Sequence, residues 1–264
     1  MGIFNNLFDI DSRDNYAVTG LNKELNSLYI YNYFIKNKKN NLVITNSLYE
    51  ANDIYNRLLN YTDKVLFFPM DDFITSEVTD ISPEFVIDRL TTLNKLLGSG
   101  KYIVVTNLMG ILRYLPNTKL YKNKIKDINK DMDIDRDDFI NKLFDLGYEK
   151  KPVVSRTGEM AIRGYVIDIF PIEFDNPIRI EFWGDTIDSI KYFDLEDQIS
   201  NTSVDSVKIY PYTEFLIDGK IEDNIIRKQK YLLNYSDSVS GLWDYVSDSV
   251  IFYYDYNQII NSYS

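Results

Sequence analysis

A length of 264 residues with a hydrophobic content of 45% fits about two globular domains, each with a core of its own. The chain contains no cysteine and no histidine, which excludes a thiolate nucleophile, an imidazole base, a Cys/His zinc site and disulfide bonds. Its formal net charge of −11 opposes binding to a phosphate backbone, so nucleic acid is not the expected ligand of this segment.

The chain also lacks the features of a membrane or exported protein. None of its apolar runs approaches the roughly 20 residues that span a bilayer, and its first residues lack the basic-then-apolar order of a signal peptide. A cytoplasmic location is therefore the expectation. No metal site and no cofactor are predicted. The chemistry left open is that of carboxylates, of a Ser or Thr beside a Lys, and of phosphate handling.

The first part of the chain alternates short apolar runs with helical patterns, which is typical of a parallel α/β sheet. Ser47 stands three residues before Glu50 and predicts a capping box at the start of one helix. Ser82 and Pro83 predict the start of a second helix. The predicted strands cover residues 41–45, 64–69 and 101–107.

The pattern changes after residue 112 to one helix, at 135–147, followed mostly by strands. Gly184 and Asp185 predict a short turn between two of these strands, as in an antiparallel hairpin. The predicted strands cover residues 160–172, 177–185, 186–194 and 206–211, and a polar helical region follows at about 220–236. The predicted domains are a parallel α/β domain at 1–112, an antiparallel α+β domain at 113–200 and a returning α/β segment at 201–264.

A nucleotide-binding sheet would carry its phosphate loop in the segment 16–30. A Walker A loop needs a Gly, four residues, and then Gly, Lys and Ser or Thr, so that backbone amides surround the phosphates. Counting from Gly20, the second Gly falls on Leu25, the Lys on Asn26 and the hydroxyl on Ser27. A degenerate phosphate loop without tight ATP binding is predicted. An ordinary loop that never bound nucleotide fits this spacing equally well.

Acidic residues offer weaker enzymatic options. The only late candidate for a Walker B strand, at 249–257, ends in the single Asp255, as any surface strand could. Four carboxylates on neighbouring strands could flank a cleft as acid and base: Asp168, Glu181, Asp185 and Asp188. Pairing with Arg163 or Arg179 explains them better, because a chain with 40 acidic residues forms such pairs by chance.

The alternation along residues 160–172 is more informative. If this segment is one strand, five residues share a face: Ala161, Arg163, Tyr165, Ile167 and Ile169. An Arg beside a Tyr and two Ile is the composition of a protein-interface hot spot. A core face with Arg163 paired at its rim fits the same periodicity.

Two runs then carry a family resemblance: RTGEMAIRGYVIDIFPI (156–172) and PIRIEFWGDTIDSIKYFDLEDQIS (177–200). They combine an RG dipeptide, a strand with DIFP, an RIEF strand, a GD turn, an IDSI strand and FD ahead of Gln and Ser. This pattern resembles the module shared by the excision-repair protein UvrB and the transcription-repair coupling factors, the Mfd family. The upstream segment 67–97 is also similar, so the resemblance covers most of the chain.

The resemblance implies a degenerate P-loop NTPase-like parallel sheet domain with an inserted antiparallel α+β domain. It also implies that the inserted domain docks UvrA and is not an enzyme. By position, Arg163 matches a strand arginine that contacts UvrA, and Lys150 matches a basic contact; Tyr165 and Ile167 are the neighbours assigned to the same surface. Ala161 stands where the family has a second arginine, which predicts a thinner contact surface.

Two departures separate the members of this family. UvrB keeps an intact Walker A loop and carries a Tyr-rich β-hairpin insertion, whereas here the loop is degenerate and the path from Phe68 to Pro83 is short. Both favour the coupling factors over the alternative, a UvrB-type ATP-dependent protein that recognises DNA damage. In coupling factors, later domains bind RNA polymerase and double-stranded DNA and act as an ATP-dependent translocase. This chain is expected to end before them.

Overall fold

The computed structural model describes residues 8, 15–72, 82–219, 232–236 and 238–263. The chain divides into two compact units, one formed by Met1–Arg113 with Gly241–Ser264 and the other by Tyr114–Ser240. The expected boundary at residue 200 does not coincide with this division, because Ser206–Ile209 pairs with Lys126–Asn129 inside the second unit. None of the helices in the described ranges is long and apolar enough to cross a membrane.

The elements follow one another in three stretches. The first unit begins with α1 (Lys23–Asn37), β1 (Asn40–Thr45), α2 (Leu48–Leu59), β2 (Val65–Phe68), α3 (Pro83–Leu96), β3 (Ile103–Asn107) and α4 (Leu108–Ile111). The second unit contains β4 (Leu115–Pro116), α5 (Thr118–Lys124), β5 (Lys126–Asn129), α6 (Arg136–Asp145), β6 (Glu149–Lys150), β7 (Glu159–Arg163), β8 (Val166–Ile169), β9 (Ile178–Trp183), β10 (Thr186–Phe193), β11 (Ser200–Ser203), β12 (Ser206–Ile209), α7 (Leu232–Tyr235) and β13 (Val239–Ser240). The first unit then resumes with α8 (Leu242–Tyr245), β14 (Ser249–Tyr253) and α9 (Tyr256–Tyr263).

A parallel sheet in the order β14-β1-β3-β2 forms the centre of the first unit, which confirms the predicted parallel α/β pattern. The predicted capping box is also present: the Ser47 hydroxyl accepts from the Glu50 amide at 3.3 Å, and the Glu50 carboxylate accepts from the Ser47 amide at 3.3 Å. Helix α2 then buries Ala51, Ile54 and Leu58 in a shared core with the strands. Helix α3 begins at Pro83 as predicted, with Ser82 in the N-cap position but without a side-chain hydrogen bond.

A six-stranded sheet in the order β11-β10-β9-β8-β7-β6 forms the centre of the second unit. Its strands pair antiparallel, except for β6 and β7, so the predicted antiparallel α+β domain is confirmed. Helix α6, predicted at 135–147, begins at Arg136 with Asp135 as its N-cap, and it buries Phe139 and Leu143 against the sheet. The strands β12 with β5 and β13 with β4 form two small additional ladders. Of the polar helical region expected at 220–236, residues 220–231 lie outside the described residues.

The predicted single strand at 160–172 is wrong, because the structure has a hairpin there. Arg163 pairs with Val166 across a two-residue turn of Gly164 and Tyr165, and Gly164 has φ +58°. A positive φ at the first central residue is the geometry of type II′ hairpin turns and favours glycine. The turn reverses the alternation, so Ile167 lies opposite Ile162. The second hairpin, with Gly184 at φ +61° followed by Asp185, is confirmed.

Candidate protein-docking face

Cross-strand pairing divides the large sheet of the second unit into two faces. Ile167 lies in register with Ile162 and Ile180, so the three share one side of the sheet, and Ile167 and Ile180 pack in the core with α6. Asp168 lies in register with Ala161 and Arg179 on the opposite side, which we call the outer face. Cross-strand pairs share a face, so the outer face carries the charged residues of these strands.

The predicted grouping of Arg163, Tyr165 and Ile167 on one strand face is therefore wrong. Ile167 has no exposed surface and packs in the core, because the turn at Gly164 reverses the alternation that placed it beside Arg163. A side chain without exposed surface cannot contact a partner, and Ile167 leaves the candidate surface. Arg163 and Tyr165 stay exposed, the latter at 65%.

Lys150 is exposed on β6, the edge strand of the sheet. Its register partner is Met160, so it lies on the side of the sheet opposite the outer face. The next residue, Lys151, lies toward the outer face with Glu149, to which it forms an ion pair of 3.0 Å. The structure thus does not bring Lys150 together with Arg163.

A fully buried carboxylate organises the middle of the outer face. Asp168 accepts from Arg179 twice, from Nε at 2.7 Å and from Nη2 at 3.1 Å, and it also accepts from Arg163 Nη2. The predicted pairing of Asp168 with Arg163 or Arg179 is confirmed with both. The hydrogen bond to Asp168 raises the pKa of Arg179 above its ordinary value. Arg179 also stacks over the ring of buried Phe193, at 4.7 Å from the centroid.

Glu181 forms a second ionic group on the same face. It accepts from Lys191 Nζ at 2.7 Å and from the Ser189 hydroxyl, and these hydrogen bonds hold the pKa of Glu181 below its ordinary value. Asp168 and Glu181 are thus each bound to cationic side chains. This arrangement supports structural ion pairs and gives no support to an acid and base facing a substrate. Asp185 and Asp188, the other predicted candidates, are exposed in the turn and on β10.

Two large aromatic side chains stand at one end of the sheet. Trp183 is 82% exposed, and it follows Arg179 and Glu181 in the outward positions of β9. Tyr165 belongs to the neighbouring turn, since the Phe182 amide donates to the Tyr165 carbonyl at 2.9 Å. Trp183 was not among the predicted site residues, although the alternation of the letters IRIEFW contains the signal.

The first residue of α6 supports the same turn from the other side. The Arg136 guanidinium donates to the Gly164 carbonyl, and Arg136 keeps only 20% of its side chain exposed. The turn that carries Tyr165 is therefore held by both β9 and α6. A supported turn limits the conformational entropy that binding would otherwise have to remove.

The predicted phosphate-loop frame falls inside a helix. Helix α1 begins at Lys23, and the N-cap side chain of Asn22 accepts from the Leu25 amide at 2.9 Å. Leu25, Asn26 and Ser27 are thus helical, so the frame counted from Gly20 is wrong. They lie in α1 because Asn22 caps a helix at that point.

The Walker A sequence can instead be aligned so that its lysine falls on Lys23, the first residue of α1. The lysine is then the only required residue that is present. In that frame Ala17 and Asn22 stand at the two glycine positions, and Glu24 stands at the hydroxyl position. Lys23 bonds Asp53 at 3.3 Å, which raises the pKa of Lys23. Asp255, the Walker B candidate, lies beyond β14 and accepts from the Gln258 side chain at 2.7 Å at the start of α9, which fits an ordinary surface residue.

Titration of the chain with ATP and Mg²⁺ is expected to show no saturable binding in the micromolar range. The loop lacks both glycines, whose backbone amides would approach the phosphates, and Glu24 adds a negative charge where a hydroxyl would hold Mg²⁺. Lys23→Ala serves as the control and is expected to give the same flat titration. A micromolar dissociation constant that Lys23→Ala abolishes would instead favour a UvrB-type ATP-dependent protein.

Comparison with known proteins defines the class of this region. Residues 127–215, which contain the six-stranded sheet and α6, match the family model described as the UvrB interaction domain. The second unit is thus built around a UvrB interaction domain.

Similarity over most of this chain gives the particular family. The transcription-repair-coupling factor of Staphylococcus epidermidis is 32% identical over 235 residues, which cover 88% of this chain and 20% of that protein. That of Staphylococcus haemolyticus is 35% identical over 220 residues, 83% of this chain and 19% of its own length. That of Staphylococcus aureus is 33% identical over 220 residues, with the same coverage. The chain is a UvrB-like module of the transcription-repair-coupling factor family, and it spans about a fifth of the length of these relatives.

Proposed function

We propose that this module docks UvrA through the outer face of its UvrB interaction domain and so recruits nucleotide excision repair to stalled RNA polymerase. The match of residues 127–215 to that domain carries the proposal. The relatives are named as factors that couple transcription to repair, which supports the same role. The role is one of recruitment and requires no catalysis by this chain.

The composition of the outer face supports protein docking. Arg, Trp and Tyr are the residue types enriched at binding hot spots, and Arg163, Trp183 and Tyr165 all keep large exposed fractions there. Ala161, which stands in the place of an expected arginine, is fully buried beside Phe170 and Phe193. It offers no contact, so Arg163 is the main cationic contact that β7 contributes.

The remaining parts of the longer relatives would supply the other activities of a coupling factor. We propose that they bind RNA polymerase and double-stranded DNA and carry the ATP-dependent translocase. Under this division the module described here needs neither a nucleotide nor DNA of its own, in line with its net charge of −11.

Arg163→Ala is expected to weaken UvrA binding by about tenfold, the loss of about 1.4 kcal/mol of interface free energy. A biosensor titration of immobilised UvrA with the chain in solution would measure this loss of affinity. Lys142→Ala is the matched control, because it removes one exposed, ion-paired positive charge from α6, on the other side of the sheet. If Arg163→Ala and Lys142→Ala lose the same affinity for UvrA, the loss reflects the removed positive charge and not a binding site at Arg163. If the unmodified chain fails to bind UvrA, the proposed function itself is overturned.

A further inference from the structure

We propose that Asp168 is a positioning residue, which holds Arg163 in place to bind a carboxylate on the docking partner. The inference rests on the proposed docking function and deepens it by naming the chemistry of the partner group. It assigns different tasks to the two arginines that share Asp168.

Arg179 is committed to the fold. Its Nε and Nη2 donate to Asp168, and its Nη1 donates to the Gln198 carbonyl at 3.2 Å and lies 3.4 Å from the Ser200 hydroxyl. Its guanidinium also covers the Phe193 ring, and only 17% of its side chain is exposed. All three nitrogens of the guanidinium therefore have partners within the protein, which leaves little for a second molecule.

Arg163 is in a different situation. In the described part of the chain its guanidinium contacts one acceptor, Asp168, through Nη2, and 46% of its side chain is exposed. A guanidinium has five N–H donors, so most of the donors of Arg163 still face solvent. Arg163 also closes the turn of the β7–β8 hairpin, next to exposed Tyr165. One end of its guanidinium is thus anchored and the other end is available.

The anchor reduces the cost of binding. A free arginine side chain has about 2 kcal/mol of rotamer entropy to lose when a partner fixes it. The bond to buried Asp168 restricts Arg163 before any partner arrives, which is preorganisation in the ordinary sense. Asp168 can act in this way because its own position is fixed by the bidentate bond to Arg179.

The charge balance indicates which group the partner contributes. Arg163 and Arg179 together carry one positive charge more than Asp168 neutralises, so a single anionic group would complete the cluster. A planar fork of N–H donors matches a carboxylate with two parallel hydrogen bonds. A phosphate backbone fits less well, because the chain as a whole carries a net charge of −11. An Asp or Glu side chain of a protein partner is the group that fits.

Asp168→Asn separates positioning from simple charge attraction. The substitution removes one negative charge from the outer face, so charge attraction alone predicts faster association and tighter binding to an acidic group. Positioning predicts the reverse, because the amide NH₂ replaces an acceptor with a donor that faces the guanidinium and releases Arg163. We expect UvrA to bind Asp168→Asn about tenfold more weakly, with the change mainly in the dissociation rate.

Arg163→Lys tests the carboxylate fork without disturbing the bond between Asp168 and Arg179. Lys keeps the charge but lacks the planar fork, so we expect it to lose nearly as much affinity as Arg163→Ala. Glu159→Gln is the matched control for Asp168→Asn, since Glu159 is another buried carboxylate that holds an arginine, Arg156, at 3.2 Å. It is expected to leave UvrA binding unchanged. Thermal unfolding of each variant identifies any that does not fold.

The outcomes separate the two proposals. A folded Asp168→Asn that binds UvrA as well as or better than the unmodified chain overturns the positioning role. If Arg163→Lys binds UvrA as tightly as the unmodified chain, Arg163 does not bind a carboxylate through a guanidinium fork. This test does not depend on whether Asp168→Asn folds. If Arg163→Ala loses affinity while neither of these variants does, docking stands and this inference falls. If the unmodified chain does not bind UvrA, it is the docking function that fails.

Discussion

Trp183→Ala is expected to weaken UvrA binding by about 30-fold, which corresponds to a hot-spot contribution of about 2 kcal/mol. Trp183 is 82% exposed, so its ring adds little to the core, and the free energy of unfolding is expected to change by less than about 0.5 kcal/mol. A large exposed aromatic ring gains most when a partner covers it, because burial removes a large apolar surface from water. Trp183→Ala should therefore lose affinity for UvrA while it keeps nearly the same free energy of unfolding.

The chain supplies its own control for this experiment. It contains two tryptophans, and Trp243 is 53% exposed on α8 of the first unit. Trp243→Ala is expected to leave UvrA binding unchanged in the same biosensor titration, and urea unfolding would report the stability of both variants. Equal losses of affinity would show that exposed aromatics bind UvrA without a defined site. No loss in Trp183→Ala would move the docking surface away from this end of the sheet.

Secondary structure was predictable where its signals are local. The capping box of Ser47 and Glu50 and the Pro83 start of α3 are satisfied within one turn of helix, so they can be read from neighbouring letters. The Gly-Asp hairpin at Gly184 was found for the same reason. The turn at Gly164 was missed because apolar residues continue on both sides of it and resemble one long strand.

The composition of the docking face was only partly predictable, because exposure is a tertiary property. Arg163 was predicted from its position in a motif. Ile167 was wrongly predicted on the same face, because the turn after Arg163 reverses the alternation. Pairing of Asp168 with Arg163 or Arg179 was predicted from the charged residues on these strands, and the structure shows both bonds. The full burial of Asp168 was not predictable, since burial depends on tertiary contacts that neighbouring letters do not specify. The phosphate-loop frame failed because the sequence alone does not fix where α1 begins.

Gly158→Ala is expected to destabilise the second unit by about 3 kcal/mol. Gly158 has φ +88°, and a Cβ built there lies 2.1 Å from the Tyr212 ring. The backbone conformation costs an L residue about 1 kcal/mol or more, and forcing a methyl group into a packed site adds about 1–3 kcal/mol. Two backbone hydrogen bonds hold this residue in place. The Gly158 amide donates to the Phe170 carbonyl at 2.8 Å, and the Gly158 carbonyl accepts from the Glu149 amide at 2.9 Å.

Gly219→Ala isolates the contribution of the clash. Gly219 has φ +89°, but a Cβ there meets no atom within 4 Å in the described part of the chain, so only the backbone strain of about 1 kcal/mol is expected. Urea unfolding of the two variants measures the difference, which corresponds to overpacking against Tyr212. The Gly158 carbonyl accepts from the amide of Glu149 on β6, the edge strand that also carries Lys150. Gly158→Ala therefore also tests whether β6 contributes to UvrA docking. Equal destabilisation of the two variants would mean that the Tyr212 ring moves aside at no cost.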